Sequence, residues 1–457
     1  MTKSNQNMTY DHSCAYVPRL DRGIHQTLIT ILLAVLFFMI RPTYAASFET
    51  QEWQTTNGAQ VVFHRATEVP MLDINIAFAA GSAYDGEKFG LSALTTDLLD
   101  QGNGELSAGD LAHKFADIGA QYGGASSQDM MLLTLRTLTQ PDALKQATDM
   151  FALLIAHPNF PVTAFLREKN QQLMSIQQSK ESADTIAKEA FYQSLYGEHP
   201  YAHPIEGNDK SVEALTIEDV HHFYQHYVVG HNAVIVMVGD IDSRTAHALA
   251  ERLMQDLPKG QAAPPIPLAS RLKNPLTLQI QHPASQTALK LGQLGITHQN
   301  KDYYPLQVGN YILGGSINSR LAQELREKRG LTYDVNSSFS AMPGIGPFMI
   351  SFSTKHHETK TALEVARKTL TTFVETGPDE SELIAAKQYL TGSFPVSLAK
   401  NRSIANMLLR LSFYHLPKDF LNSYVTHINA VTVADIKQAF QHQIDLNQLT
   451  QITVGRS

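Results

Sequence analysis

Two stretches of the chain, 216 residues apart, follow the same local plan, and this repeat limits the fold more than any other feature. The first reads Thr216-Ile217-Glu218-Asp219-Val220, then Tyr224, then the β-branched run Ala233 to Val238 closed by Gly239. The second reads Thr432-Val433-Ala434-Asp435-Ile436, then Phe440, then Leu449 to Val454 closed by Gly455. Thr216 and Thr432, Asp219 and Asp435, Tyr224 and Phe440, and Gly239 and Gly455 share one offset with no gap. A Thr followed three residues later by Asp can cap a helix reciprocally, hydroxyl to backbone N–H and carboxylate back to the cap. A shared offset of this length means a duplication of whole domains rather than a short solenoid period.

The divide between the copies is marked by Pro258, Pro264, Pro265, Pro267 and Pro275, with Gly260 among them. Such a stretch reads as an extended linker. The expected organisation is a first domain over 48–257, a linker over 258–275 and a second domain over 276–457. In the first copy, Asp73 to Phe78 alternates as a strand does, and Leu91 to Leu99 reads as a helix. Ser107 caps a helix running to about Ala120, and Asp129 to Leu138 reads as a strand. Leu144, Ala147, Phe151 and Leu154 mark one face of a further helix. Helices and strands mix without strict βαβ alternation, which predicts an α+β fold. The expectation is two homologous α/β sandwich domains, each a mainly antiparallel sheet with helices on one face.

Residues 1–45 have the layout of a signal peptide: Arg19 and Arg22, the uncharged run Thr27 to Ile40, then Pro42-Thr43-Tyr44-Ala45-Ala46. The apolar run is shorter than the roughly 20 residues that span a bilayer. Arg41, directly after it, supports the alternative of an uncleaved N-terminal anchor. No second apolar run of spanning length follows, so no stable membrane span is expected after cleavage. Cys14, the single cysteine, would leave with the signal, and a cysteine-free chain suits an oxidising compartment. The expected location is periplasmic or secreted. One cysteine excludes a disulfide framework and a cysteine-rich metal site. The net charge of −7 argues against a nucleic-acid partner, which usually meets a basic face.

Several segments, in order and spacing, resemble the pitrilysin/insulinase family of zinc peptidases, the inverzincins. They are Ala80-Gly81-Ser82 with Gly90-Leu91, Glu168-Lys169, His199-Pro200-Tyr201 with Pro204 and Gly207, Ile312 to Leu321, and Glu324-Leu325-Arg326-Glu327-Lys328-Arg329-Gly330-Leu331-Thr332-Tyr333. The resemblance covers nearly the whole chain after residue 45 and implies paired α+β domains. It also implies an H-x-x-E-H motif on the helix that begins at Leu91, two His ligating zinc and the Glu acting as general base. In this chain Ala93 stands at the first His, Thr96 at the Glu and Asp97 at the second His. Alignment on Glu168-Lys169 brings Met174 and Ser175 to the third ligand. Alanine cannot coordinate, and one carboxylate does not make a three-ligand site. No metal is therefore expected on this chain.

The other histidines give no replacement. His222 and His226 share a helical face, but Gln225 stands where a base would be and an amide cannot take a proton. His356-His357 reads as a turn, and His199 and His203 as structural. The resemblance further implies an Arg and a Tyr, seven residues apart, that reach over the substrate carbonyl. Arg326 and Tyr333 keep this spacing. Leu321 and Leu325 form an apolar helical face, Gly330 supplies a C-cap, and Tyr333, Val335 and Ser337 are expected to alternate along a strand. The competing reading pairs Arg326 with Glu324 or Glu327 and packs Tyr333 in the core. Arg320 and Arg329 read as surface or structural residues.

Three functional expectations follow. The chain is the zinc-free subunit of a heteromeric zinc metallopeptidase, binding peptide and presenting Arg326 and Tyr333 to a partner. That partner would be an intact H-x-x-E-H homologue carrying the zinc, and the chain alone would not hydrolyse. Alternatively it is a non-catalytic binding or assembly protein of the same fold. A self-sufficient hydrolase with a displaced site is the third reading.

Overall fold

The computed structural model describes residues 48–271 and 275–456. The signal segment 1–45, with Cys14, lies outside the described residues, as do 272–274 of the linker.

The first half forms a six-stranded sheet from β1 (Gln51–Gln54), β2 (Gln60–Arg65), β3 (Met71–Phe78), β4 (Gln121–Ser126), β5 (Met131–Leu138) and β6 (Ala233–Gly239), in the order β1-β2-β6-β3-β5-β4. The second half forms a five-stranded sheet from β7 (Thr277–Gln281), β8 (Thr287–Leu294), β9 (Val335–Phe339), β10 (Pro347–Thr354) and β11 (Thr450–Gly455), in the order β9-β10-β8-β11-β7. Reading the first sheet backwards without β1 gives the second. Each has one parallel pair, β2 with β6 and β7 with β11, and is otherwise antiparallel. Duplication therefore extends through the whole topology, and the α+β expectation describes it.

The repeated caps form as their sequences dictate. In α4 (Ile217–Tyr227) the Asp219 N–H donates to Thr216 Oγ1 at 3.3 Å, and the Thr216 N–H donates to Asp219 Oδ2 at 3.0 Å. In α6 (Val433–Gln443) the Thr432 and Asp435 bonds are 3.2 and 2.8 Å. Four further helices matter below: α1 (Leu91–Leu98), α2 (Val162–Ser179) and α3 (Ala183–Tyr196) before α4, and α5 (Asn401–Phe413) between α4 and α6.

The central strands of both sheets are buried on both faces, which explains why β3 and β8 show no solvent-facing alternation. Leu72, Ile74, Ile76 and Phe78 of β3 enter the core made with the first half's own helices. The opposite face, carrying Asp73 and Asn75, packs against α5, a helix of the second half. Asn75 Nδ2 donates to Asn406 Oδ1 on α5 at 2.8 Å. The second sheet repeats this. Leu289 and Leu291 of β8 face their own helices, while Ala288 and Leu294 join Ala187, Phe191 and Leu195 of α3, from the first half. Lys290, almost fully buried on that face of β8, donates to Asp184 at 2.6 Å and to Ser351 at 2.5 Å. Each half thus lends one helix to the bare face of the other's sheet.

Candidate functional site

Gly90 starts α1 from a left-handed backbone, with φ of 93°. A Cβ there would lie 2.6 Å from the Glu206 carbonyl oxygen and 2.8 Å from Gln172 Nε2, so the close approach of three segments needs glycine. Buried Asp85 accepts from the N–H groups of Gly90 and Ser92, both at 2.8 Å, and stabilises the helix start. Burial pushes its carboxyl up to about 8 despite those bonds. Gln172, on α2, donates through Nε2 to the carbonyls of Gly90 and Glu206 at 3.0 and 2.9 Å. This one amide fixes α1, α2 and the loop after His203 around a shared cavity.

The cavity measures about 370 Å³ and is lined by Thr96, Asp97, Asp100, Glu168, Gln172 and Glu206, among others. Ala93 is buried and contributes no donor atom. Thr96 is buried too, its hydroxyl committed to the Ser92 carbonyl at 2.7 Å. Asp97 stands at the mouth and faces the cavity. Met174 points elsewhere: it is 65% exposed and does not line the cavity, whereas its neighbour Ser175 does. A one-residue step on a helix turns a side chain by about 100°, which separates these two. Zinc does not fit this set, because a methyl group, a committed hydroxyl, one carboxylate and a serine cannot supply three ligands. Among the described residues no three His, Cys, Asp or Glu side chains lie close enough to hold a metal ion.

The cavity is instead strongly acidic. Partial desolvation, reinforced by Glu206, Glu168 and Asp100, raises the Asp97 carboxyl to about 6. Burial also raises Glu206. Asp100 accepts from the Tyr122 hydroxyl at 3.0 Å. Glu206 and Gln172 escaped notice in the sequence. Glu206 sits between Pro204 and Gly207 in the segment read as structural, and no local pattern joins it to α1.

Arg326 lies in the second half on a short helix capped by Ser319, Arg320–Ala322, that widens into a π-turn over Gln323–Glu327. Gly330, with φ of 62°, ends it, and the Gly330 N–H donates to the Arg326 carbonyl at 2.9 Å. The Arg326 guanidinium bonds Glu327 at 2.8 Å and the Ile317 carbonyl at 3.1 Å. The ion-pair half of the competing reading is therefore present, but the packing half is not, since Tyr333 is 88% exposed. Nor does Tyr333 belong to a strand: β9 begins at Val335. Thr332 Oγ1 donates to the Asp334 carbonyl at 2.7 Å and accepts from the Asp334 N–H at 3.3 Å, which bends the chain around Tyr333 before pairing begins. Arg320 grips Glu382 with two bonds of 2.7 and 2.6 Å and lies over the Phe373 ring, a structural role. Arg329 bonds Glu324.

The histidines are placed by the fold. His222 and His226 lie exposed on α4. His199 Nδ1 accepts from the Tyr201 N–H at 3.1 Å while Nε2 donates to the Pro267 carbonyl at 2.8 Å. His203 stacks on Phe89. His356 opens a short turn after β10 and bridges Thr287 and the Ala284 carbonyl.

Residues 60–209 match the family model described as Insulinase (Peptidase family M16), and 214–390 match the one described as Peptidase M16 inactive domain. A peptidase M16 inactive domain from Pseudomonas fluorescens is 34% identical, with a TM-score of 0.87 over 90% of this chain and 98% of that one. The non-peptidase homolog YmxG of Helicobacter pylori is 25% identical over 93% of this chain and 96% of its own length. An uncharacterized zinc protease of Rickettsia felis is 28% identical over 75% of this chain and 82% of its own length.

Proposed function

We propose, from the premise that this chain belongs to the insulinase family (peptidase family M16), that it is the zinc-free subunit of an exported, heteromeric zinc metallopeptidase. An intact H-x-x-E-H homologue would carry the metal and the general base. This chain would bind the peptide and present Arg326 and Tyr333 to the partner's active site. The observation that carries the reading is the exposure of Tyr333: a tyrosine 88% open to solvent, held in a fixed bend seven residues after Arg326. An exposed tyrosine offers a partner both an aromatic face and a hydroxyl donor, the combination that enriches tyrosine at interfaces. The Arg326 guanidinium can offer a planar fork of donors to a developing oxyanion. Residues 1–45 would direct export to the periplasm or beyond.

The test is co-purification with an intact homologue and an assay of peptide hydrolysis. Arg326→Ala or Tyr333→Phe should lower kcat by roughly 100-fold, the usual loss for one oxyanion donor. A complex of either variant with full activity overturns the reading.

One observation favours a second reading, a binding or assembly protein without a catalytic contribution. The Arg326 guanidinium is already engaged by Glu327 and Ile317. On this reading the purified chain pairs stably with a non-peptidase, and no intact homologue joins it.

A further inference from the structure

We propose that the cavity between α5 and the helices Tyr303–Leu313, Glu380–Ser397 and Phe420–Ala430 binds the C-terminus of a peptide whose last residue is apolar, with Arg410 holding the terminal carboxylate. The site belongs to the second half and does not rest on the roles of Arg326 and Tyr333. The cavity measures about 280 Å³, and Leu390, Phe394, Leu411 and Phe420 form its walls. Phe394 and Tyr424 stack with ring centroids 4.2 Å apart, which stiffens one of them. Ligand cavities run from roughly 300 Å³ upward, so this one accepts a single large side chain rather than a longer body.

The polar groups of the lining call for an anion. Arg410 is exposed, and its guanidinium has no hydrogen-bond or ion-pair partner among the described residues. The lining holds no Asp, Glu or Lys. His298, the other basic group there, is pushed down to about 4 by burial and by Arg410, so it is neutral near pH 7. The guanidinium is therefore the one charge on the cavity. The hydroxyls of Tyr303 and Tyr424 also lack a partner among the described residues. Burial raises both, Tyr424 to about 12, so both remain donors. Tyr303 lies within electrostatic reach of Arg410, and Tyr424 within reach of Tyr303. Three donors thus gather on one cavity with no acceptor for any of them. A carboxylate accepts up to about four bonds and meets a guanidinium through two parallel ones, which complements that set.

Leucine and phenylalanine walls give an inorganic anion nothing to cover, so the carboxylate must carry an apolar group. A peptide is favoured over a simple carboxylic acid by Ser393 and Ser397, which both belong to the lining. Each donates its hydroxyl to a carbonyl of its own helix, Ser393 to Leu390 at 3.4 Å and Ser397 to Phe394 at 2.7 Å. Their donors are spent and their acceptor lone pairs remain. A peptide brings backbone N–H groups to those acceptors, whereas an ionised simple acid brings none. The recognised end is therefore an aromatic or branched aliphatic last residue with its carboxylate free.

The experiment uses the full chain and short peptides labelled with fluorescein at the N-terminus. They are identical except at the last residue, which is Phe with a free carboxylate, Phe amide, or Ser with a free carboxylate. Anisotropy should show the Phe acid binding roughly tenfold tighter than the Phe amide, the worth of about one charge-assisted hydrogen bond. It should also bind roughly tenfold tighter than the Ser acid, through burial of the ring. The acid-to-amide ratio should collapse towards one in Arg410→Met. It should persist in Arg402→Met, which alters an exposed arginine of α5 outside the lining. Thermal unfolding confirms that each variant is folded. Tyr424→Phe keeps the ring and should lower the ratio by a smaller factor, which serves if Arg410→Met fails to fold. Equal affinity for the Phe acid and the Phe amide overturns the proposal. So does a ratio that survives Arg410→Met, equal affinity for the Phe and Ser acids, or free hydrocinnamate binding as tightly as the peptide. Hydrolysis by an assembled complex containing Arg326 and Tyr333 variants is a separate readout, so either idea can fail alone.

Discussion

Tyr414 donates its hydroxyl to Asp129 Oδ2 at 2.9 Å, joining residues 285 positions apart. Tyr414 ends α5, and Asp129 lies in the turn between β4 and β5 of the opposite half. The repeat supplies a counterpart: Tyr196, ending α3, donates to the Ile345 carbonyl between β9 and β10 at 2.9 Å. Each lent helix is thus tied by a terminal tyrosine to the hairpin of the half that receives it. Asp129 accepts a second hydroxyl, from buried Tyr201 at 2.5 Å.

Tyr414→Phe should therefore cost more than Tyr196→Phe. The first removes a bond to a carboxylate, worth about 1.5–3 kcal/mol, and the second a bond to a neutral carbonyl, worth about 1 kcal/mol. Equilibrium denaturation of the two variants measures the difference. Equal losses would show that the carboxylate adds nothing.

Lys290 and Asp184 should respond unequally to substitution. The lysine is 3% exposed and the aspartate 59%. Lys290→Met leaves a carboxylate that water can reach, so the expected loss is below about 1 kcal/mol. Asp184→Ala leaves an ammonium buried beside Ser351 alone, and the expected loss is about 3 kcal/mol. Urea midpoints rank the two.

The capping threonines offer a test of equivalence between halves. Thr216→Ala and Thr432→Ala each break a reciprocal cap and should each cost about 1 kcal/mol. The loss at Thr216 should be partly salt-dependent, because Asp219 is also paired with Lys88. Denaturation at low and high ionic strength separates these contributions.

Asp97 sets a pH dependence whose sign is fixed by its raised carboxyl. The folded chain binds its proton more tightly than the unfolded chain, so its contribution to stability is complete below about 3.8. It is lost as pH rises through about 6. Asp97→Asn should flatten the fall in stability across that window. Carbon-detected NMR of the carboxyl should show a midpoint near 6, moving downward in Glu206→Gln because one repelling charge is gone. An unmoved midpoint would remove Glu206 from the cluster.

Local features were legible in the sequence because their causes are local. The Thr–Asp caps, the Gly330 stop and the strands at β3, β5 and β6 each follow from residues within one element. The residues that stand at the motif positions, Ala93 and Asp97 for the two His and Thr96 for the Glu, can be read together because one helix carries all three. Features made by distant segments were not. The covering of β8 by α3 depends on packing between halves, and Lys290 in a strand gives no hint that Asp184 will meet it. The acidic cavity needs Glu168, Glu206 and Asp97 from three separate elements. The alternation at Tyr333, Val335 and Ser337 was misleading because the Thr332 hydroxyl outcompetes the strand ladder for the backbone of Asp334.

The lent helices make the molecule topologically equivalent to a swapped dimer whose two protomers have been fused end to end. Cutting the chain between Pro258 and Arg271, a stretch with no regular structure, would sever the connection but not the assembly, because α3 and α5 would still be clasped by foreign sheets. Either fragment made alone would expose the sheet face that the other half's helix covers, Asp73 and Asn75 in one and Lys290 in the other among its residues. The two halves are duplicated in sequence, yet each completes the burial of its sheet only with a helix from the other.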